Sequence, residues 1–257
     1  MDSGEEYVAV VHDFQSYVRV YSDGRVEREM DYVIDYETGF RKRDFQPASI
    51  DDDVWLPSKD VKISSETDVS VRLFKPKNIA PGEKIPIVIY FHGGFFVSQS
   101  AFGALYHYFL DSLVTEANVI AVSVEYRRAP EQFLPVAYDD SWEAVKWVAS
   151  HCARNGPEEW LNEYGDFECA YFAGNEAGCS RVLVWVAELG NFKVWGYNYK
   201  DVLSKSGWEG KVEIRETKDT GTMFFLVDTV PRGDDTMVML RKVASFVNQK
   251  WEDPEEE

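Results

Sequence analysis

The chain has 257 residues, of which 45% are hydrophobic and 15% aromatic, which is too much apolar material for an intrinsically disordered protein. Its 45 acidic residues outnumber its 27 basic residues and give a formal net charge of -18. Such a charge repels phosphate backbones and anionic lipid, so nucleic acid and membrane surfaces are excluded as partners. We expect one domain over residues 1–257, with no metal and no cofactor.

The start of the chain, the length of its apolar runs and its cysteines favour a cytoplasmic protein. Met1 is not followed by a basic and then apolar leader, and no apolar run is long enough to span a bilayer. The three cysteines, Cys152, Cys169 and Cys179, are odd in number and lack metal-type spacing, as expected in a reducing compartment.

The N-terminal part of the chain predicts β-structure. Residues 17–21 alternate polar and apolar side chains, and Ser22-Asp-Gly then supplies a turn before residues 25–28, a pattern typical of a hairpin. We treat residues 1–50 as an N-terminal cap-like segment. Residues 61–64 and 69–74 predict a pair of strands.

The centre of the chain alternates strands and helices. Residues 85–91 and 119–124 are nearly continuous apolar runs, typical of strands buried on both faces, and they flank helical spacing at 106–114. Residues 138–150 predict a helix and residues 169–173 another buried strand. This β-α-β-α-β order predicts an α/β fold with a mainly parallel sheet and helices on both faces.

The remaining elements continue this pattern to the C-terminus. Residues 199–203 predict a helix, 211–215 a strand and 237–248 a final helix. We expect the acidic tail at 251–257 to be disordered.

Two short motifs follow predicted strands, and they carry a family resemblance. They are Tyr90-Phe-His-Gly-Gly-Phe-Phe96 and Gly174-Asn-Glu-Ala-Gly178. Together with Ser123-Val-Glu-Tyr-Arg-Arg-Ala-Pro-Glu131 and Leu134-Pro-Val-Ala-Tyr-Asp-Asp-Ser-Trp142, they make the chain resemble the plant carboxylesterases of the hormone-sensitive-lipase type. Gibberellin receptors, isoflavanone dehydratases and some alkaloid cyclases are relatives of these enzymes. The resemblance runs from about residue 17 to 248 and implies the α/β-hydrolase fold.

The resemblance implies that all three positions of the catalytic triad have changed. The nucleophile of this fold sits in Gly-x-Ser-x-Gly, and the matching position is Glu176. The acid position matches Gly190, and the histidine position matches Thr222. All four histidines precede Glu176, so a Ser-Asp-His order is impossible in this chain.

The oxyanion hole is less altered than the triad. His92 begins the His-Gly-Gly motif, in which the backbone N–H groups of Gly93 and Gly94 point toward a developing oxyanion. The N–H of Ala177 is the expected third donor. Phe95 replaces the third glycine of the family motif.

A deletion follows the second motif. Family members place a helix, a strand, a lid and another strand between this motif and the segment beginning at Val182, whereas here Cys179-Ser180-Arg181 joins them directly. A parallel crossover needs a dozen or more residues, so 169–173 and 182–187 cannot be neighbouring parallel strands. Either the sheet is locally irregular, or Val182–Leu189 forms a helix, which we favour because Gly178 and Ser180 stand where it would begin and Gly190 where it would end.

Several functions fit these observations. The leading hypothesis is a carboxylesterase homologue that has lost ester hydrolysis. A receptor-like protein that binds an apolar small molecule is an alternative, and so is a cyclase or dehydratase in which Glu176 acts as general base. A truncated gene product of marginal stability is a further alternative. Glu176 is a poor nucleophile, because no histidine would activate the water that clears its ester.

Other conspicuous residues have structural interpretations. The aromatic residues from Phe95 to Tyr108 favour core packing over a ligand pocket. Arg127 is expected to brace the loop beside Asp139 or Asp140. The acidic run at 51–53 is interpreted as a solvated turn, because it lacks the alternating ligands of a calcium loop.

Overall fold

The computed structural model describes residues 8–14, 17–28, 32–34, 41–51, 54–174, 181–208, 210–227 and 233–249. The predicted acidic tail at 251–257, residues 52–53 of the predicted acidic turn, and residues 175–180 lie outside this set. The strands are β1 (Val10–Phe14), β2 (Val18–Tyr21), β3 (Val26–Glu27), β4 (Tyr32–Ile34), β5 (Arg41–Arg43), β6 (Ser58–Lys62), β7 (Ser70–Phe74), β8 (Ile85–Phe91), β9 (Ile120–Glu125), β10 (Gly165–Ala173), β11 (Arg181–Ala187) and β12 (Lys211–Thr217). The helices are α1 (Ala104–Ala117), α2 (Val136–Ala149), α3 (Glu159–Tyr164), α4 (Lys193–Lys205), α5 (Phe224–Val227) and α6 (Asp234–Val247).

The main sheet has five strands in the order β10-β8-β9-β7-β6. The three strands β8, β9 and β10 run parallel, while β7 is antiparallel to both β9 and β6. Strand β8 is apolar throughout because it is covered on both faces: Val88 and Tyr90 pack on one side, and Ile87 and Ile89 on the other. The predicted strands, and the α/β architecture that they imply, are confirmed.

Helices cover both faces of this sheet. Helix α1 packs on one face with α5 and α6, and α2 and α3 pack on the other face. Helix α1 ends at Asn118, whose φ of 51° places it in the left-handed region that commonly terminates helices. The predicted helices at 106–114, 138–150, 199–203 and 237–248 are all present.

A second, two-stranded sheet lies beyond the main one and corrects one expectation. Strand β11 pairs in parallel with β12 along its whole length, from Arg181 beside Lys211 to Ala187 beside Thr217. The helix expected over Val182–Leu189 is therefore wrong. The alternating β-branched residues Val182, Val184 and Val186 favour a strand, and pairing with β12 outweighs the start and stop signals. In the described part of the chain β11 does not pair with β10, as the short connection between them requires.

Helix α6 supports both sheets. The Phe246 ring lies 6.3 Å from the ring of Tyr171 on β10, and the guanidinium of Arg181 on β11 stands 4.3 Å above the same ring. Arg181 also donates to the Gln249 side chain at 2.9 Å. Among the described residues, the two sheets are therefore held side by side on one helical layer without strand pairing between them.

The N-terminal region consists of short strands. Strands β2 and β3 form the predicted hairpin, β1 extends it to three strands, and β4 pairs with β5. Each helix in the described ranges is too short or too polar to cross a bilayer.

Candidate active site

The loop after β8 has a constrained backbone. Gly94 has a φ of +123°, and a Cβ there would lie 2.1 Å from the Ser98 carbonyl oxygen, so only glycine fits. The Gly94 carbonyl accepts from the backbone N–H groups of Val97 and Ser98, both at 3.0 Å. Phe95 and Phe96 follow with φ values of 58° and 62°, where bulky side chains are rare. The loop therefore keeps a tight, strained turn although Phe95 stands where the family has glycine.

The Tyr106 hydroxyl lies beside the first predicted oxyanion donor. It stands 3.0 Å from where a Cβ of Gly93 would be. Burial raises the pKa of Tyr106 to about 12, so the phenol stays protonated at neutral pH. Gly93 and Gly94 are the two described candidate donors, and Ala177 lies outside the described residues.

His92 lies beneath this loop and is 1% exposed. Its ring stacks on Tyr126 at 4.2 Å, and its Nδ1 lies 2.8 Å from the Gly93 carbonyl oxygen. Burial lowers the pKa of His92 to about 3, so the ring is neutral near pH 7. His92 therefore shapes the loop and is a poor proton acceptor.

The second motif starts where the first one ends. Gly174 has a φ of +119°, and a Cβ there would lie 2.2 Å from the carbonyl oxygen of Phe91, the last residue of β8. The glycine lets the chain leave β10 against the end of β8, which brings the start of the nucleophile turn beside the oxyanion loop. Glu176 itself lies outside the described residues.

The other two triad positions meet at the carboxyl ends of β11 and β12. The Thr222 hydroxyl oxygen lies 2.8 Å from where a Cβ of Gly190 would be. Backbone hydrogen bonds join the two loops, from Glu188 to Thr217 at 2.9 Å and from Leu189 to Thr220 at 3.0 Å. The structure thus brings positions 190 and 222 into direct contact. Gly190 has no side chain, however, and the Thr222 hydroxyl is not a base at neutral pH.

An aromatic bridge connects these loops to the oxyanion loop. The Phe95 ring lies 5.8 Å from Phe192, which follows Gly190 closely, and 5.1 Å from Tyr17 near the N-terminal strands. Tyr106 is buried, whereas Phe95 and Tyr108 are 46% and 43% exposed. The aromatic residues from Phe95 to Tyr108 therefore do not form one pocket: part of the set is core and part surrounds the candidate site.

The other histidines are placed elsewhere. His12 is exposed on β1. His107 lies on α1 against Arg72, and burial together with that positive charge lowers its pKa to about 4. His151 follows α2 and its Nε2 accepts the Glu158 N–H at 2.9 Å.

Arg127 has the bracing role expected of it. Its Nε and Nη2 donate to the buried Asp140 carboxylate at 2.9 and 2.7 Å, and its backbone N–H donates to the same group. Of the two predicted partners, Asp140 is therefore the one bound.

Sequence reasoning missed a cleft beside Gly190 and Thr222, although the aromatic density between residues 185 and 199 was a visible signal. The cleft lies between β11 and α4 and has a volume of about 370 Å³.

The Glu216 carboxylate lies near the cleft and accepts hydrogen bonds from three donors, which lower its pKa to about 2. The donors are Lys218, Tyr197 and Lys193.

The fold and the arrangement of these loops define the protein as an α/β-hydrolase. A family profile described as alpha/beta hydrolase fold matches residues 88–189. The structure is similar to that of an esterase from Pyrobaculum calidifontis, with a TM-score of 0.60 at 18% identity over 74% of this chain and 84% of that one.

The sequence is similar to plant proteins over nearly its full length. It is 31% identical to "Probable carboxylesterase 7" of Arabidopsis thaliana over 322 residues, covering 93% of this chain and 99% of the relative. It is 44% identical to "Probable carboxylesterase 4, mitochondrial" of the same plant over 172 residues, covering 66% of this chain and 43% of the relative. The chain belongs to the plant carboxylesterase family of α/β-hydrolases. Because the first alignment runs over 322 residues and the chain has 257, this relative carries residues that the chain lacks.

Proposed function

We propose that this protein is a carboxylesterase homologue that no longer hydrolyses esters. One observation carries the proposal: positions 190 and 222 still touch, yet they hold a glycine and a threonine. A serine nucleophile needs a base to take its proton and an acid to orient that base. Here the contact between the two loops survives without the groups that perform the chemistry.

The histidines support the same proposal. Burial lowers the pKa values of His92 and His107 to about 3 and about 4, so neither ring accepts a proton readily at pH 7. Loss of a serine and histidine pair typically costs about 10⁶ in turnover, while the oxyanion hole and binding alone retain about 10³–10⁴ over water. We therefore expect turnover of p-nitrophenyl acetate no higher than that of an albumin control.

The decisive experiment separates a missing nucleophile from a missing base. In the Glu176→Ser variant a serine returns to the motif, and we expect no labelling by a fluorophosphonate in single-turnover experiments, because Thr222 has no basic nitrogen. The triple variant Glu176→Ser, Gly190→Asp, Thr222→His should recover little, since such sites tolerate only about 0.5 Å of displacement. Labelling of the single variant at the rate of a working esterase would overturn the proposal, as would wild-type turnover that Glu176→Ala abolishes.

The proposal includes a cytoplasmic location, for which the cysteines give the support. The three cysteines are odd in number and lack metal-type spacing, a pattern typical of proteins of a reducing compartment. Microscopy of a fluorescent fusion in plant cells tests this location. Import into mitochondria, the organelle in one relative's name, would contradict it.

A further inference from the structure

We propose that the cleft between β11 and α4 binds a neutral, flat aromatic molecule that carries one hydroxyl or carbonyl oxygen. The inference rests on the proposed function in one respect, since positions 190 and 222 must be free of a catalytic role. It goes beyond that function by assigning a ligand class to a surface outside the oxyanion loop.

The walls of the cleft are apolar and aromatic. Val184 and Val186 of β11 form the floor. Trp195 and Tyr199 of α4 form one side, together with Phe192, which directly precedes the helix. A Cβ at Gly196 would lie 2.4 Å from Val186 Cγ1, so the helix approaches the strand as closely as a glycine allows. A volume of about 370 Å³ between such walls suits one or two fused rings.

The side chains of α4 are exposed to solvent. None of its residues is buried, and Trp195 is 70% exposed. Val194 and Val202 on the same helix are 66% and 64% exposed. Concentrated apolar exposure of this kind marks a binding surface, and an aromatic ligand on Trp195 would remove the indole face from water.

The charges around the cleft favour a neutral ligand. Among the described residues that line it, the only cationic side chain is Lys193, and its Nζ lies 3.1 Å from a Glu216 carboxylate oxygen. A carboxylate ligand would have to compete with Glu216 for that ammonium. A cationic ligand would meet the ammonium itself, with no carboxylate in the described lining to attract it. Charge complementarity therefore disfavours both anionic and cationic ligands.

One polar group remains for the oxygen of the ligand. Thr222 borders the cleft and is partly buried, and within the described ranges its hydroxyl makes no hydrogen bond. The hydroxyl stands against Gly190, where even a Cβ would come within 2.8 Å of it, so a ligand oxygen would reach Thr222 from the cleft and not across Gly190. A hydroxyl or carbonyl oxygen placed there would pair with Thr222.

The test uses 2-naphthol as the probe and isothermal titration calorimetry of the full chain at pH 7. We expect saturable 1:1 binding of 2-naphthol, and at least about 10-fold weaker binding of 2-naphthoate, which has the same rings and a negative charge. Trp195→Ala should weaken 2-naphthol binding about 10-fold. Thr222→Val, which keeps the shape and removes the hydroxyl, should weaken it about 5-fold.

Trp142→Ala is the matched control, because Trp142 is 60% exposed on α2 and does not line the cleft. Equal weakening by Trp142→Ala and Trp195→Ala would overturn the inference, and so would the absence of saturable binding. Sedimentation velocity provides a second readout: a dimer that Trp195→Ala dissociates and that binds no 2-naphthol would overturn the inference by showing that a second copy covers the cleft. Hydrolysis of 2-naphthyl acetate is measured separately, so failure of the proposed function is distinguished from failure to bind.

Discussion

Helices α1 and α4 have similar lengths and very different surroundings. Helix α1 buries seven of its 14 residues between the main sheet and α6, whereas the 13 residues of α4 include none that is buried. The strands beside them differ in the same way. Five of the six residues of β9 are buried, but only three of the seven residues of β11 are.

The difference shows which part of the fold loses stability because the chain is shorter than its relatives: the second sheet and α4. The main sheet has helices packed on both faces, so its central strands are fully covered. The second sheet has only two strands in the described part of the chain, and the helix beside it stays exposed. We therefore expect the two regions to differ in stability although they share the α6 layer.

Hydrogen exchange should show the largest contrast between the regions. Amides of β9 are expected to exchange only through global unfolding, while amides of α4 exchange through local opening at least about 100-fold faster. Mass spectrometry of peptic fragments measures both in one experiment. Equal protection of β9 and α4 would remove the distinction between the regions.

Two leucine substitutions sharpen the comparison energetically. Leu110→Ala, at a fully buried site of α1, should lower the free energy of unfolding by about 3 kcal/mol through loss of burial and a cavity. Leu189→Ala is the same chemical change at a site that is 67% exposed, and it should cost less than about 0.5 kcal/mol. Urea titration monitored by circular dichroism gives both values. A large effect at Leu189 would mean that the second sheet is more tightly packed than its exposure indicates.

A buried carboxylate in the main region should have an intermediate effect. Asp140 is 1% exposed and accepts three hydrogen bonds from Arg127. Asp140→Asn should cost about 2 kcal/mol, because a charged and bidentate partner is lost. Asp139→Asn on the exposed side of the same helix is the control and should have little effect; equal thermal shifts would contradict the role of the pair.

Acid should destabilise the main region through its buried histidines. The folded pKa of His107, about 4, lies below the value of about 6.5 expected when unfolded, so only the unfolded chain binds this proton between those pH values. The free energy of unfolding should therefore fall as pH decreases, by about 1 kcal/mol per pH unit for this ring. His107→Gln should make the slope between pH 6 and 5 shallower by about that amount. An unchanged slope in His107→Gln would show that the ring is protonated in the fold.

The main region was the part that sequence alone could predict. Its strands are long apolar runs, such as residues 85–91, and its helices have clear spacing, because burial on both faces leaves a strong periodic signal. The contact between Gly190 and Thr222 came from family resemblance and not from the spacing of these residues. Strand β11 was mispredicted: its β-branched residues favour a strand, but the pairing that decides its state is with β12, which lies more than twenty residues later.

The cleft on β11 was missed for a related reason, although the aromatic density between residues 185 and 199 was a visible signal. The sequence does not show whether an aromatic residue such as Trp195 is buried or exposed. Trp195 is exposed because, among the described residues, no other element covers it. The position of the Tyr106 hydroxyl beside Gly93 was equally hidden, because it requires the packing of α1 against the oxyanion loop. Contacts between distant segments therefore decided both features.

The position of α6 has a consequence for synthesis on the ribosome. Phe246 is a side chain that touches both β10 and β11, and it is made after every strand of both sheets. During translation the main sheet can form as soon as β10 emerges, but the second sheet has no fixed place until α6 follows. The nascent chain therefore passes through a stage in which β11 and β12 are complete and unanchored, and a chaperone that binds exposed apolar strands would act in that interval.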